Sequence, residues 1–243
     1  PPPPPRPPLV PLITGPYELI GNSPFCSDHG CGLGCCSQCR GSADRPHLLY
    51  LHIEKTGGSS IECATQQTLV PQGIWTNMGH TWGSAVEDCK RRCPHHKVVV
   101  SIREPYSWWR SLFTYAFRCS WAAVCLPRGY PRTFAGFMDW ARRNPKQAQS
   151  AHIHNACGDP CQYDYLLKTE RLIADWINLV RREHLPLYKL PRINMASNRN
   201  SDQPRNQPPP TVFTEEILQI IHELDAPMFD EFGYARRTSA FEL

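Results

Sequence analysis

The chain has 243 residues, enough for one full-sized domain with a buried core and a tail. Its 26 Lys and Arg against 22 Asp and Glu give a formal charge of only +4. That balance suits an anionic ligand but lacks the concentrated positive charge of a nucleic-acid-binding protein, so we expect no nucleic-acid partner. No apolar run reaches the length of about 18 residues that a membrane-spanning helix needs, so we expect no span within this chain.

Residues 1–45 differ in composition from the rest of the chain. Eight of the first eleven residues are proline, which favours polyproline II or disorder and excludes a packed core there. We interpret this stretch as a spacer, with an SH3-type ligand as the alternative. Because the chain starts without a methionine or a signal-like segment, we expect a fragment cut below a membrane anchor or stem.

Five of the twelve cysteines lie between Cys26 and Cys39. Zinc binding is one interpretation, with these ligands: Cys31, Cys35, Cys36, Cys39 or His29. Disulfides are favoured, because only Cys36 and Cys39 have the usual Cys-x-x-Cys spacing for zinc. Two further pairs, Cys119 with Cys125 and Cys157 with Cys161, lie at tight loop spacings. The even cysteine count and the local pairs predict an oxidising compartment such as the secretory lumen.

The segment from Leu48 to Ile53 is short, apolar and β-prone, which predicts a buried strand, and a helix is expected from Ser59 onward. Between them lie a lysine and two glycines. The glycines let the backbone approach a ligand, the first helix amides point outward, and Lys55 adds a positive charge. This arrangement predicts an anion site for a phosphate.

This loop lacks the first glycine of the nucleoside triphosphatase signature, so we do not interpret it as a Walker loop. It resembles the 5′-phosphosulfate loop of sulfotransferases that use 3′-phosphoadenosine 5′-phosphosulfate (PAPS), in which a strand leads into Lys-Thr-Gly-Gly-Thr/Ser-Ser. The resemblance implies that PAPS is bound by six consecutive residues, the first of which also contacts the reacting group: Lys55, Thr56, Gly57, Gly58, Ser59 and Ser60. The alternative is a glycine-containing turn with an incidental lysine.

Gly79-His80 follows the predicted first helix and precedes a polar, helix-like stretch from Glu87 to Arg92. A Gly-His pair stands at the matching place in the resembling heparan and uronyl 2-O-sulfotransferases, where the histidine deprotonates the acceptor. The resemblance therefore implies that His80 is the catalytic base, a role that suits the pKa of histidine. An ordinary loop histidine is the alternative. Glu62 is the rival base, because other branches of the family use a glutamate on or beyond the first helix.

Val98 to Ile102 predicts a second buried strand, and Pro105 suits the first turn of the helix that follows. The 3′-phosphate loop of the same sulfotransferases has an Arg, a Pro two residues later and a Ser eight residues after the Arg. Arg103, Pro105 and Ser111 match these positions, which implies that Arg103 and Ser111 bind the 3′-phosphate. Trp108 stands where many relatives carry a second arginine, and that role is not transferred to Arg110.

The stretch from Tyr115 to Tyr130 is aromatic, basic and cysteine-bearing, and we expect it to be a lid or an acceptor-binding insertion. The next stretch, Thr133 to Arg143, predicts a helix that ends at Asn144-Pro145. Its core face is expected to carry four apolar residues: Phe134, Phe137, Met138 and Ala141.

The segment from Cys157 to Glu170 resembles one in Golgi sulfotransferases of the chondroitin and dermatan type. A strand is predicted from Tyr163 to Leu167 and a helix from Arg171 to His184. We interpret His152 and His154 as structural or surface residues first, although an acceptor-site role is the alternative.

Thr214 is predicted to cap a last amphipathic helix. The ending from Ala226 to Tyr234 resembles the family's Phe-Gly-Tyr ending. The resemblance thus reaches from about Pro46 to Tyr234, and a proline-rich, mobile loop is expected between Asn198 and Pro210.

Strands that alternate with helices and carry anion loops at their carboxyl ends predict an α/β fold with a mostly parallel sheet flanked by helices. The resemblance implies a P-loop-like sulfotransferase fold over residues 46–243, after the Pro- and Cys-rich extension of residues 1–45. It implies transfer of a sulfuryl group from PAPS to a carbohydrate hydroxyl in the Golgi lumen, without a metal ion. The membrane would be reached only through an anchor absent from this chain.

Basic residues from Arg118 to Arg132 and from Arg142 to Lys146 suit an acidic acceptor polymer, but a solvated charged face explains them equally well. Two other functions stay open at this point. One is a kinase-like phosphotransferase, which would need a magnesium-binding carboxylate after a strand. The other is a non-catalytic relative that binds a glycan or a nucleotide.

Overall fold

The computed structural model describes residues 46–66, 68–78, 85–118, 131–158, 161–186, 190 and 209–242. Residues 1–45, the predicted extension, lie outside this part of the chain. At the centre lies a sheet of four strands in the order β2-β1-β3-β4, and every neighbouring pair is parallel. The strands are β1 (Leu48–Leu51), β2 (Trp75–Asn77), β3 (Lys97–Ile102) and β4 (Tyr165–Lys168).

Helices flank the sheet, which confirms the predicted α/β class. They are α1 (Gly58–Gln66), α2 (Ala85–Arg92), α3 (Pro105–Arg118), α4 (Phe134–Arg143), α5 (Gln149–Cys157), α6 (Leu172–Arg182), α7 (Glu215–Leu224) and α8 (Ala226–Asp230). The short strands β5 (Val212–Phe213) and β6 (Phe241–Glu242) form a separate antiparallel pair. Among the described helices, none is both long and apolar enough to cross a membrane.

The central strands are buried on both faces, as strands of a parallel sheet covered by helices are. Alternate residues of a strand point to opposite faces, so β1 contributes to two core clusters. Leu49 and Leu51 pack in one cluster with Ile153 of α5. Leu48 and Tyr50 pack in the other cluster, which also contains Ile61 of α1. These two layers fix the helices on either side of the sheet.

The strand order places a topological switch point between β1 and β3. From β1 the chain crosses over to β2 on one side of the sheet, and β3 then pairs with the other side of β1. The loops that follow β1 and β3 therefore leave the same edge of the sheet next to each other. Open parallel sheets bind their ligands at such a place, outside the carboxyl ends of the strands.

Several predicted elements are confirmed, with small shifts at their ends. The helices predicted from Thr133 and from Thr214 are present, and each threonine side chain accepts a hydrogen bond from a first-turn amide as an N-cap does. The four predicted core residues of α4 are all buried. The first strand was predicted to extend to Ile53 but ends at Leu51, the last residue that pairs with β3.

Three parts of the topology differ from the predictions. The edge strand β2 and the helix α5 were not predicted, because β2 has only three residues and α5 buries polar side chains. The lid was predicted to begin at Tyr115, but residues 115–118 form the last turn of α3. That part of the prediction was wrong, because the helical apolar pattern continues into it. Residues 119–130 of the predicted lid lie outside the described ranges, as does the loop predicted after Asn198 up to residue 208.

Candidate functional site

The loop after β1 turns through residues 54–57 into α1, and it adopts an uncommon backbone conformation. Lys55 has φ of 62° and Gly57 has φ of 84°. The left-handed region costs a residue with a side chain about 1–2 kcal/mol, so Lys55 keeps it only because surrounding contacts hold the loop. Such conformations cluster at functional sites. The predicted phosphosulfate loop is therefore a strained turn at the carboxyl edge of the sheet.

A chain of buried hydroxyl groups supports this turn from below. The Thr56 hydroxyl donates to the carbonyl oxygen of Ile53 at 2.6 Å, and it lies 2.6 Å from the Ser101 hydroxyl of β3. Because Thr56 uses its proton on Ile53, Ser101 donates to Thr56 and in turn accepts from Tyr50 at 2.7 Å. Burial raises the pKa of the Tyr50 hydroxyl, which stays protonated as this chain requires. The Thr56 side chain therefore points into the protein. If Thr56 contributes to ligand binding as predicted, the contributing group is its backbone amide and not its hydroxyl.

Both glycines of the loop are required by packing as well as by the predicted ligand. A Cβ atom added at Gly58 would overlap the imidazole of His52, and one added at Gly57 would lie 3.0 Å from Cδ2 of Leu172. Gly57 also has the positive φ that favours glycine. The glycines thus let the turn lie directly against the buried His52 ring and the partly buried Leu172 side chain.

The N-terminus of α1 supplies the second positive feature of this loop. Ser59 and Ser60 lie in its first turn, which contains no acidic residue. No carboxylate of that turn therefore neutralises the positive end of the helix dipole. The ammonium nitrogen of Lys55 lies 3.9 Å from the centre of the Tyr115 ring on α3. Tyr115 is 38% exposed, so this cation–π contact lies at the surface of the site.

Arg103 follows β3 directly, and its side chain reaches the neighbouring loop. Its Nε donates to the Ser107 hydroxyl at 3.0 Å, and its Nη1 donates to the backbone oxygen of Lys55 at 3.3 Å. Burial lowers the pKa of Arg103, whereas the carboxylates of Glu170 and Glu104 raise it. The guanidinium still stays charged at neutral pH. The structure therefore brings together the two loops that the sequence predicted to bind the two ends of one ligand.

Ser111 lies on the face of α3 that borders this contact. Residues four apart lie on one face of a helix, so Ser107, Ser111 and Tyr115 share a face. Ser107 bonds to Arg103, and the Tyr115 ring contacts Lys55. Ser111 is partly buried between these two positions. Ser111 is therefore one helical turn from Ser107, the residue that bonds to Arg103.

The segment after β4 joins the two loops to each other. The Thr169 hydroxyl lies 2.8 Å from the backbone oxygen of Thr56 and 2.9 Å from that of Ile102, so one proton is shared between the loops. Glu170 accepts a hydrogen bond from the Glu104 amide at 2.7 Å. Trp108 is fully buried and donates to the backbone oxygen of Glu54 at 2.6 Å. The loops are therefore held by the protein before a ligand arrives.

The N-terminus of α3 differs from that of α1, because a carboxylate already occupies it. One oxygen of Glu104 accepts a hydrogen bond from the Ser107 amide at 2.7 Å, which caps the helix. Within the described ranges, Lys55, the first turn of α1 and the Arg103 guanidinium therefore bring positive charge to this edge of the sheet.

Of the two predicted catalytic bases, the structure describes only one. Glu62 lies on α1 with an oxygen 3.0 Å from Nδ1 of His52, and the side chains are 15% and 7% exposed, respectively. The predicted base is thus engaged in a nearly buried pair with a histidine. His80, together with Gly79, lies outside the described residues.

Three residues that support the site were missing from the prediction. His52 immediately follows β1, and that position next to the loop was the signal that could have identified it. Thr169 directly follows β4, but nothing in the sequence indicates its bridging role. Gln149, which hydrogen-bonds to the backbone of Arg103, begins a helix that was not predicted.

The predicted pair Cys157 and Cys161 forms a disulfide that links the end of α5 to the loop before β4. Cys63, Cys89 and Cys93 are also disulfide-bonded. The cluster between Cys26 and Cys39 and the pair Cys119 and Cys125 lie outside the described residues, so the choice between zinc and disulfides for the cluster stays open.

Comparisons with protein-family models, with curated proteins and with solved structures find no match to this chain.

Proposed function

We propose that this protein is a PAPS-dependent sulfotransferase that transfers a sulfuryl group to a hydroxyl of a carbohydrate. The observation that carries the proposal is the contact between the two anion loops, in which Nη1 of Arg103 lies 3.3 Å from the backbone oxygen of Lys55 at the switch point of the sheet. A ligand with two separated phosphate groups suits two adjacent positive loops better than a ligand with one. The finer description of the fold as P-loop-like and of sulfotransferase type belongs to the same proposal.

In this proposal the loop after β1 binds the reacting end of PAPS. Lys55 and the first amides of α1 stabilise the negative charge that develops on the 5′-phosphate as it leaves. The sulfur–oxygen bond to that phosphate breaks while a new bond forms to the acceptor oxygen. The acceptor proton passes to a base, and adenosine 3′,5′-bisphosphate (PAP) leaves. The protein chiefly aligns the reactants, as in phosphoryl transfer.

Arg103 and Ser111 bind the 3′-phosphate, the group that distinguishes this donor from ATP. The fixed backbone of the loop after β3 supports that role, since a positioned guanidinium forms the strong, geometrically specific hydrogen bonds of phosphate recognition. The base is His80 or Glu62. Glu62 is held by His52, and a carboxylate already paired with an imidazole is suited to pass a proton on rather than to act alone.

The carbohydrate acceptor and the Golgi lumen are further parts of the proposal. The disulfides at Cys157 and Cys161 and at Cys63, Cys89 and Cys93 support an oxidising compartment. The basic residues of α4 and the following turn suit an acidic glycan, although Arg142 and Arg143 lie near Glu223 and Asp139, respectively.

Ligand-induced thermal stabilisation tests the donor site. PAP and AMP differ only in the 3′-phosphate, so we expect PAP to raise the melting temperature well above the shift that AMP causes at the same concentration. ATP serves as the second comparison, because a kinase-like enzyme would favour it. Equal shifts with PAP and AMP, or a larger shift with ATP, would contradict the proposal.

Transfer of labelled sulfate from PAPS to a panel of glycans tests the activity. We expect label on at least one carbohydrate, and we expect His80→Ala and Glu62→Gln to identify the base by the larger loss of turnover. PAP binding without any transfer would favour the non-catalytic glycan- or nucleotide-binding relative instead.

A further inference from the structure

Gln149 makes an unusual contact with the residue assigned to the 3′-phosphate. Its side-chain oxygen accepts a hydrogen bond from the Arg103 amide, and its side-chain nitrogen donates to the Arg103 carbonyl oxygen, both at 2.8 Å. A primary amide thus pairs with both backbone groups of one residue. Gln149 is fully buried, and the reversed amide would face a donor with a donor, so its orientation is fixed.

The contact lies at the residue where the hydrogen-bonded pairing between β3 and β4 ends. The last pair between β3 and β4 joins Ile102 with Lys168, so Arg103 is the first residue beyond the ladder. Polar backbone groups at such a place cost free energy unless they find partners. Gln149 continues the hydrogen bonding by one residue, and it thereby fixes the backbone from which the Arg103 guanidinium extends toward Ser107 and Lys55.

Gln149 is itself held firmly, because α5 is fixed at both ends. Its N-cap residue, Ala148, has no side-chain hydrogen bond to offer. The buried carboxylate of Asp225 takes that place, accepting from the Ser150 amide at 2.8 Å and from Nε1 of Trp109 on α3 at 2.7 Å. At the other end, the disulfide of Cys157 ties the helix to the loop before β4.

We propose that Gln149 is a positioning residue that sets the direction of Arg103 and thereby the preference of the site for a ligand with a 3′-phosphate. The inference rests on the proposed function, because it assumes that Arg103 binds that phosphate. It adds a residue that contacts no ligand and acts through the backbone of the one that does.

The test compares the affinities of PAP and AMP by titration calorimetry for wild type and Gln149→Met. We expect the variant to lose about tenfold in affinity for PAP, the equivalent of one weakened charge-assisted hydrogen bond, with little change for AMP. Gln147→Met is the matched control, since the same substitution is made two residues earlier on an exposed glutamine. If Gln149 only stabilised the fold, Gln149→Met would lower the affinities for PAP and AMP by the same factor or leave both unchanged.

A double-mutant cycle with Arg103→Met separates the inference from the function on which it rests. Once Arg103 is gone, Gln149→Met should have no further effect on the ratio of PAP to AMP affinity. Wild type without any preference for PAP would overturn the proposed function and the inference with it. A wild-type preference that the folded Gln149→Met protein retains would overturn the inference alone.

Should Gln149→Met fail to fold, Gln149→Glu provides the second variant. In its ionised form, the glutamate keeps an acceptor for the Arg103 amide but has no donor for the Arg103 carbonyl oxygen, so this variant is measured at a pH at which the carboxyl group is ionised. We expect it to lose preference for PAP as well, and full retention of the preference would again overturn the inference.

Discussion

At the scale of single residues, the site depends on side chains that fill the space beneath a turn. His52 occupies the space that a side chain at position 58 would need, and its Nδ1 lies 3.0 Å from Glu62. The glycine at position 58 therefore has a physical reason that does not involve a ligand. The glycine at position 58, which the sequence analysis assigned to a phosphate loop, is therefore also needed for the packing between β1 and α1.

The first prediction follows from this packing. Gly58→Ala should lower the free energy of unfolding by about 1–3 kcal/mol, because the new methyl group forces the His52 ring or the loop to move. Chemical denaturation monitored by tryptophan fluorescence measures the change. His52→Ala makes room for the methyl group, so the double variant should lose less stability than the sum of the two single variants. Strictly additive losses would show that the two positions do not compete for space.

A second prediction concerns the hydroxyl that joins the two loops. Thr169→Val keeps the shape of the side chain but removes its bond to the carbonyl oxygens of Thr56 and Ile102. We expect a loss of about 1–2 kcal/mol in the free energy of unfolding and weaker PAP binding, because buried carbonyl groups lose a partner and the loops separate more easily. Thr238→Val, on an exposed threonine, is the control. Unchanged stability and binding would mean that other contacts suffice to hold the loops together.

At the scale of elements, the helices that carry no ligand-binding residue still determine the site. The Asp225 carboxylate at the junction of α7 and α8 caps α5 and bonds to Trp109 of α3. Burial raises the pKa of this carboxyl group to about 6, and the hydrogen bonds from Ser150 and Trp109 oppose the shift. Four helices, α3, α5, α7 and α8, therefore meet at one ionisable group, which gives this junction a pH dependence.

The raised pKa of Asp225 determines how the free energy of unfolding changes with pH, which is the third prediction. A carboxyl group whose pKa is raised by folding holds its proton more tightly in the folded state, so its contribution to stability falls as the pH rises from about 4 to about 6 and is constant above that. The Asp225→Asn variant has no carboxyl group at this position, so it does not take up this proton. The stability of wild type minus that of Asp225→Asn should therefore increase as the pH is lowered through this window. Urea unfolding at several pH values measures it, and a difference that shrinks on acidification would show that Asp225 has a lowered pKa.

At the scale of the whole molecule, disulfides add covalent links to elements that already pack in the core. Cys63, Cys89, Cys93 and Cys157 are all buried. The Cys157–Cys161 bond closes a short loop at one end of α5, while Cys63 lies on α1 and Cys89 on α2. Disulfide-bonded cysteines therefore lie on three of the described helices, α1, α2 and α5. A chain with this bonding is stable in an oxidising compartment and loses stability in a reducing one.

The fourth prediction follows. Reduction should lower the melting temperature, since each disulfide contributes about 2–4 kcal/mol. Differential scanning calorimetry with and without a reductant measures the change, and thiol titration confirms that the bonds are broken. The paired substitution Cys157→Ser and Cys161→Ser should reproduce only part of the loss. An unchanged melting temperature after complete reduction would show that the disulfides do not stabilise the folded chain.

Much of the site was predictable because its signals are local. The apolar runs of β1 and β3, the lysine and glycines after the first and the Arg-Glu-Pro after the second lie within a few residues of each other. Hydrophobic periodicity, helix caps and turn residues act over such short distances. They identified both loops, and they identified the helices α4, α6 and α7 to within a residue or two.

Local patterns in the amino-acid sequence determined which segments form strands and helices. They also determined which loops carry the lysine, the arginine and the glycines. The folded chain added what depends on contacts between distant segments: that β3 lies beside β1, that Arg103 reaches the backbone of Lys55, that Gln149 clasps Arg103, and that His52 pairs with Glu62. Such contacts form because buried polar groups must find partners wherever the packing of the core brings them. No local pattern in the sequence records which partner each group finds.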